Sequence, residues 1–155
     1  MDALEELLGW TLLWAPRAEA HKVTGVLRPE DFYTPIYREL FEVIATLVAE
    51  GVPHDTPMVA ARLERDGRLA GHAGQRLSRA LVTAATAGAD RTGLGHYARA
   101  VAAAAYRRSF RDAGLAIAEA AESLPESDLF EHMVTLGRRQ RAATERLAAL
   151  QAAGL

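Results

Sequence analysis

Apolar residues recur at three- and four-residue spacing along almost the whole chain, which is the pattern of amphipathic helices. In the first segment the repeat runs through Leu4, Leu8 and Leu12 and is interrupted at Pro16. Strand signals, such as strict alternation of apolar and polar positions, do not recur in the same way. The pattern therefore predicts an all-α fold.

Two further helices are bracketed by residues that favour helix ends. Residues 34–51 and 56–67 each begin with Thr-Pro and end with Gly. Threonine is a common capping residue, proline suits the first helical position, and glycine commonly follows the last turn. The small and polar stretch 67–74 is predicted to be a loop, and a helix is expected to follow it and to end near Gly88.

The last third of the chain is organised differently, with two long apolar seams on either side of Pro125. Each seam steps by three or four residues without a miss, so the segment is predicted to be an antiparallel helical hairpin with Ser127 capping its second helix. Gln140 is a polar seam residue of the kind that fixes register. The seams comprise Ala103, Tyr106, Phe110, Ala113, Ile117, Ala120 and Leu124, then Leu129, Met133, Leu136, Gln140, Ala143, Leu147 and Leu150.

The expected organisation is one domain over residues 1–155, with a compact helical head at 1–90 and a hairpin tail at 91–152. Two interpretations of the hairpin stay open. Its seams could pack only on each other, or the hairpin could also form an oligomer contact, because it carries further apolar residues such as Tyr97, Val101 and Phe130. Trp10 and Trp14 also have two interpretations, as core residues or as an anchor for a partner.

Composition narrows the function classes. The 155 residues contain no cysteine, which excludes disulfides, zinc–thiolate sites and thiol nucleophiles. The N-terminus is acidic rather than positively charged, and no apolar run approaches the ~20 residues of a membrane helix. A cytoplasmic protein without membrane contact is expected.

The overall charge does not favour a nucleic-acid binder. The chain has 18 basic and 20 acidic residues and a net charge of −2, whereas phosphate-binding domains usually show a basic excess. Two local arginine clusters keep a nucleic-acid interface open as an alternative: Arg107, Arg108 and Arg111, and Arg138, Arg139 and Arg141.

Candidate catalytic chemistry is absent from the sequence. Glu30 and Asp31 are adjacent, so their side chains diverge by roughly 100° on a helix and serve better as helix-start charges than as an acid–base pair. Lys22 is the only lysine and lies in no glycine-rich phosphate loop. The histidines and serines show no metal-binding or nucleophile spacing. No catalytic residue, cofactor or metal is therefore predicted, and the chain is not expected to be an enzyme by itself.

Several motifs together resemble the N-terminal domain of DnaB-type replicative DNA helicases. The stretches LLGWTLL and LRPEDFYTPIYRELFEVI are similar to that family's first helix and to its P-E-D-F-Y motif. The loop GVPHD and the following VAARLERDGRL also resemble it, and HYARAVAAAAYRRSF resembles the start of its tail hairpin more loosely. The motif residues are Leu8, Gly9, Pro29, Asp31, Phe32, Tyr33 and Pro35.

The chain also departs from the family. Tyr37 stands where the family usually has histidine, and the RecA-like motor that normally follows is absent from these 155 residues. The sequence is therefore either an excised domain or a stand-alone protein without the motor, and the natural-looking Met1 favours the second.

The resemblance implies a non-catalytic role in DNA replication. In the family this domain forms a collar that orders the helicase ring and receives primase or loader proteins. Self-association and binding of helicase, primase or loader are the implied partnerships, with direct DNA binding weak or absent. A stand-alone accessory protein and a primase-type helicase-binding domain are the nearest alternatives.

The resemblance also implies site residues. Phe32 and Tyr33 are expected in the head core. The expected oligomer contacts on the hairpin are Tyr106, Phe110, Ile117, Leu129, Met133, Leu136 and Leu147.

Overall fold

A computed structural model describes residues 2–154 of the chain, and within that range the fold consists of helices without a strand. Two short 3-10 helices, Pro29–Asp31 and Arg91–Gly93, separate the longer elements. The predicted all-α fold is confirmed. The α-helices are α1 (Asp2–Trp14), α2 (Arg17–Thr24), α3 (Pro35–Glu50), α4 (Thr56–Arg65), α5 (Gly71–Thr86), α6 (Leu94–Ser123) and α7 (Glu126–Ala152).

The core is built around α1 and α3. Helix α1 packs on α3, α5 and α6, and α3 also packs on α2, α4 and α5. Fully buried side chains from these two helices include Leu8, Leu12, Ile44 and Leu47. The same core continues past residue 90, because Val101 of α6 lies within it. The long helix is thus anchored in the head by its first turns, as the apolar spacing requires.

Helix ends are set partly by the predicted residues and partly by their neighbours. Gly51 ends α3 in the left-handed conformation with φ of 75°. Thr34 does precede α3, but its side chain makes no capping hydrogen bond. The predicted cap at Thr56 is wrong, because Asp55 precedes the helix and its carboxylate accepts a hydrogen bond from the Met58 N–H at 3.1 Å.

The predicted loop at residues 67–74 is shorter in the structure, because α5 already begins at Gly71. Gly74 lies inside the helix, where a Cβ would stand 2.0 Å from the carbonyl carbon of Leu69. Glycine at this position allows the loop backbone to touch the helix. The glycines at 71 and 74 concealed the helical pattern, since glycine disfavours helices on intrinsic propensity.

Helices α6 and α7 run antiparallel and are tied by polar contacts within the seam. The Gln140 amide donates to the Ser109 carbonyl and accepts from the Ser109 hydroxyl, each at 2.9 Å. Further along, the hydroxyls of Tyr106 and Thr144 lie 3.0 Å apart. Because Gln140 both donates to and accepts from Ser109 on the facing helix, these bonds fit the predicted role of Gln140 in setting the register of the two helices. At 30 residues, α6 extends about 45 Å.

The predicted cap at Ser127 is wrong. Helix α7 begins at Glu126 directly after Pro125, so Ser127 lies within the first turn. Its hydroxyl donates to the Asp128 carboxylate at 3.1 Å instead of capping the backbone. Pro125 takes the N-cap position instead, and no side chain caps the first turn.

Candidate protein-interaction site

The P-E-D-F-Y motif joins the head to the base of the hairpin through Asp31. Asp31 is buried, and its carboxylate accepts from the Arg28 N–H at 2.8 Å and forms an ion pair with Arg146 of α7. The Asp31 carbonyl accepts a hydrogen bond from the Arg108 guanidinium of α6. One residue of the motif therefore contacts both hairpin helices.

The two acids of the motif do not form a catalytic pair. Glu30 is exposed while Asp31 is buried, so their carboxylates lie in different surroundings. The 3-10 helix has a proline at its first position, and both acids fall in its first turn, where negative charge is favourable. The structural interpretation of the pair therefore fits the observed geometry. The sequence did not predict the contact of Asp31 with the hairpin.

The two aromatic residues of the motif differ in burial. Phe32 is only 2% exposed and packs against Phe41 of α3, with ring centroids 4.7 Å apart. Tyr33 is 60% exposed, so its expected place in the head core is wrong. Its ring instead lies 5.6 Å from the Arg108 guanidinium. Extended backbone at Phe32 sends successive side chains to opposite sides, which explains why only one aromatic enters the core.

Glu5, a buried acid of α1, binds the two residues that precede α3, a role that the sequence did not predict. Its two carboxylate oxygens accept hydrogen bonds from the Tyr33 N–H at 2.6 Å and the Thr34 N–H at 3.0 Å. Glu5 thus fixes the two residues that lead into α3, which is a different contact from the first-turn cap expected of Thr34. The available signal was that Glu5 shares the helix face of Leu8 and Leu12, where a charged residue needs a specific partner.

Breaking the contact between Asp31 and Arg146 should loosen the hairpin base. We expect Asp31→Ala to lower the free energy of unfolding by roughly 2–3 kcal/mol, because it leaves a part-buried guanidinium and the Arg28 N–H without their acceptor. Urea denaturation of Asp31→Ala, Arg146→Met and the double variant measures this. A coupling free energy near zero in that cycle would contradict the contact, since coupled neighbours typically give about 0.5–3 kcal/mol.

The predicted oligomer-contact residues fall into three groups in the structure. Leu136 is buried in the seam, and Leu147 packs against the head core. Tyr106 and Leu129 are half-buried. The other three predicted residues leave large parts of their side chains exposed: Phe110, Ile117 and Met133. Of the seven predicted residues, these three have the most exposed apolar surface with which a partner could make contact.

Four exposed apolar residues lie on one side of the hairpin, here called the hairpin face and defined by Phe110, Ile117, Phe130 and Met133. Each of them directly follows a residue of the line along which α6 and α7 pack. In an antiparallel pair, positions one step beyond that line point to the same side. The face is therefore an apolar strip to which both helices contribute, and the exposed fractions of its four side chains run from 42% to 65%.

Two glycines lie on the same face. Gly114 stands between Phe110 and Ile117, and Gly137 follows Met133 by one helical turn. A Cβ added at either position would meet nothing within 4 Å. Packing within the described chain therefore gives no reason for glycine here, although glycine costs about 1 kcal/mol relative to alanine inside a helix.

Other exposed groups lie away from the hairpin face. Trp14 is 52% exposed, so the core interpretation holds only for Trp10. The Arg91 guanidinium lies 4.9 Å from the centroid of the Trp14 ring, a cation–π contact at the surface. Within residues 2–154, no three acidic or histidine side chains are grouped so that they could hold a metal ion. None of the helices within residues 2–154 combines the length and the hydropathy that a bilayer-spanning segment needs.

Comparison with known proteins identifies the fold. The sequence model of the DnaB-like helicase N terminal domain matches residues 2–103, about two thirds of the chain. The chain belongs to the DnaB-like helicase N-terminal domain family. The match ends inside α6, so it covers the P-E-D-F-Y motif and the head together with the start of the hairpin.

A solved DnaB domain extends the comparison into the hairpin. The crystal structure of the N-terminal domain of DnaB helicase from Mycobacterium tuberculosis superposes with a TM-score of 0.76 at 26% identity. The match covers 90% of this chain and 96% of that one, so it must include most of the hairpin. The DnaB N-terminal domain is a non-catalytic oligomerisation and interaction module of the replicative helicase. The predicted resemblance and functional class are confirmed.

Proposed function

We propose that this chain works as a single interaction domain that associates with further copies through the hairpin face and thereby presents its head to replication partners. The observation that supports it most is the apolar strip of Phe110, Ile117, Phe130 and Met133, exposed on both hairpin helices. Exposed apolar strips of this kind mark protein contacts in soluble proteins. Membership of the DnaB family supports the same role.

The arrangement of the hairpin makes this association possible without disturbing the head. Asp31 fixes the base of the hairpin through Arg108 and Arg146. Those two arginines precede packed residues of α6 and α7, so they lie on the side opposite the hairpin face. A second copy can therefore cover the face while the head contact stays intact. The open space at Gly114 and Gly137 allows a partner helix to approach closely.

The implied partners are helicase, primase or a helicase loader. We propose that the domain binds them as a docking module and carries out no chemistry of its own. The role of this chain is then to bring several copies together, so that their heads are available to these partners.

Light scattering tests the self-association directly. We expect the mass of the unmodified chain to rise from one copy to two or more as its concentration increases into the high micromolar range, because each copy brings an equivalent apolar strip. A single-copy mass throughout that range would contradict the proposal. The number of copies at saturation would then distinguish a closed dimer from a larger ring.

The arginine clusters support a second candidate, a nucleic-acid interface. Arg107, Arg111, Arg138 and Arg141 are exposed and make no ion pair within residues 2–154, whereas Arg108 is occupied by Asp31. Titration with single-stranded DNA at two salt concentrations separates the two candidates. Binding through phosphates should weaken steeply with salt, while association through the hairpin face should persist or strengthen.

A further inference from the structure

Helix α5 differs in charge from the rest of the fold. Among the seven α-helices of the described chain, it is the only one without an acidic residue, although it spans 16 residues. It carries Arg76 and Arg79, and these share one side of the helix with Ala80 and Thr83, since the four positions recur at three- and four-residue spacing. A positive strip is thus present on a chain whose net charge is −2.

This strip forms one wall of a groove between α5 and the start of α3. The opposite wall is lined by Thr34, Pro35, Ile36, Tyr37 and Glu39, and the groove encloses about 420 Å³. Ala80 is buried and Ile36 is half-buried, so they provide an apolar floor. Pro35 is exposed at the rim and extends this apolar surface outward.

The arginines are not used by the fold. Within residues 2–154, Arg76 and Arg79 form no ion pair and no side-chain hydrogen bond. The acid that lines the groove, Glu39, is already paired with Arg68 at 2.9 Å. The groove therefore combines an apolar floor with two uncommitted guanidinium groups along one wall.

We propose that the groove between α3 and α5 binds an acidic amphipathic helix of a partner protein. Its apolar side would lie on Pro35, Ile36 and Ala80, and its carboxylates would pair with Arg76 and Arg79. The planar guanidinium fork accepts a carboxylate in two parallel hydrogen bonds, and an apolar groove with charged walls is a common way to bind a helix. Bare nucleic acid could pair with the two arginines but would leave the apolar floor unused.

The inference rests on the proposed docking role and deepens it by naming the partner's chemistry. It uses a surface of the head that is separate from the hairpin face. Failure of groove binding and failure of self-association are therefore separate results, because the first is read from peptide binding and the second from the mass in solution.

Binding is measured with a defined probe. A fluorescein-labelled peptide of roughly 18 residues, about five helical turns, carries leucine along one face and glutamate elsewhere. A scrambled peptide of the same composition and a version with lysine in place of glutamate test the pattern and the charge. A deoxythymidine oligonucleotide with the same label tests the nucleic-acid alternative. Fluorescence anisotropy gives the Kd of each.

We expect the acidic amphipathic peptide to bind more tightly than the other three probes and less tightly at high salt. The double variant R76E/R79E should raise its Kd about tenfold or more, because two attractive pairs become repulsive. R138E/R141E is the matched control, since it reverses two exposed arginines at the same spacing on α7 and should leave the Kd unchanged. Circular dichroism verifies the fold, and R76Q/R79Q replaces the reversal if that variant is unfolded.

Three results would overturn the inference. The first is equal binding of the acidic and scrambled peptides, and the second is a Kd that R76E/R79E and R138E/R141E change equally. The third is tight binding of the oligonucleotide without binding of the acidic peptide. An unchanged mass of R76E/R79E in light scattering, together with lost peptide binding, would confirm that the groove and the hairpin face act separately.

Discussion

Replacing Phe32 by alanine is expected to lower the free energy of unfolding by about 3–5 kcal/mol. Phe32 is among the largest fully buried side chains, and its ring packs 4.7 Å from that of Phe41. The substitution removes this apolar contact and leaves a cavity beneath the turn that leads into α3. In a chain of this length the melting temperature should fall by roughly 10 °C or more. Urea and thermal denaturation followed by circular dichroism measure both quantities.

The neighbouring residue provides the control for this experiment. Tyr33→Ala removes an aromatic side chain of similar size from the same turn, but Tyr33 is largely exposed and contacts mainly Arg108. We expect it to lower the unfolding free energy by no more than about 1 kcal/mol. Equal losses for the two variants would show that Phe32 does not anchor the motif.

Placing a charge on the hairpin face is expected to abolish most of the self-association. Ile117→Glu should raise the dissociation constant by about 100-fold, or 2.7 kcal/mol, because a carboxylate would be buried against an apolar partner surface. Ile117 is 42% exposed in the single chain, so the variant should still fold. Light scattering at a concentration where the unmodified chain is associated measures the change in mass.

Leu115 offers a closely matched control two residues away on α6. It is 65% exposed and also aliphatic, but it points away from α7 and lies off the hairpin face. Leu115→Glu introduces the same charge into the same helix and should leave the mass unchanged. Equal dissociation by both variants would indicate that net charge, rather than the hairpin face, controls association.

These two experiments concern the two parts that the P-E-D-F-Y motif connects. Phe32 fixes the turn to the head, while the adjacent Asp31 holds the hairpin through Arg108 and Arg146. Burial of the phenyl ring and pairing of the carboxylate thus set the position of the hairpin relative to the head. The motif thus connects the head to the hairpin.

The sequence predicted the elements whose signal is local. Apolar spacing along the chain determined the helices, and Gly51 supplied a left-handed residue that ends α3. The hairpin was evident because two seams of regular spacing lie on either side of a proline. The predicted start of α5 is too late, because the glycines at 71 and 74 hide the helical pattern. Gly74 is required within this helix because the backbone of Leu69 lies against it.

Other features depended on contacts between distant parts of the chain. The sequence indicated that the hairpin could offer an apolar surface. It did not show which residues would form that surface, because the apolar spacing is the same for the residues that pack between the helices and for those that stay exposed. Glu5 and Arg146 lie 26 and 115 residues from Asp31, so no local pattern connects the three. Their roles follow only from the packing of α1, α6 and α7 around one turn.

The sequence by itself therefore determined the helices, the hairpin and the family, because each is encoded in residues close together along the chain. The tertiary structure alone decided that Phe32 is buried and Tyr33 exposed, that Asp31 contacts both hairpin helices, and that Arg76 and Arg79 line a groove. Burial and pairing of charges depend on which surfaces meet in space, and helical periodicity leaves that choice open.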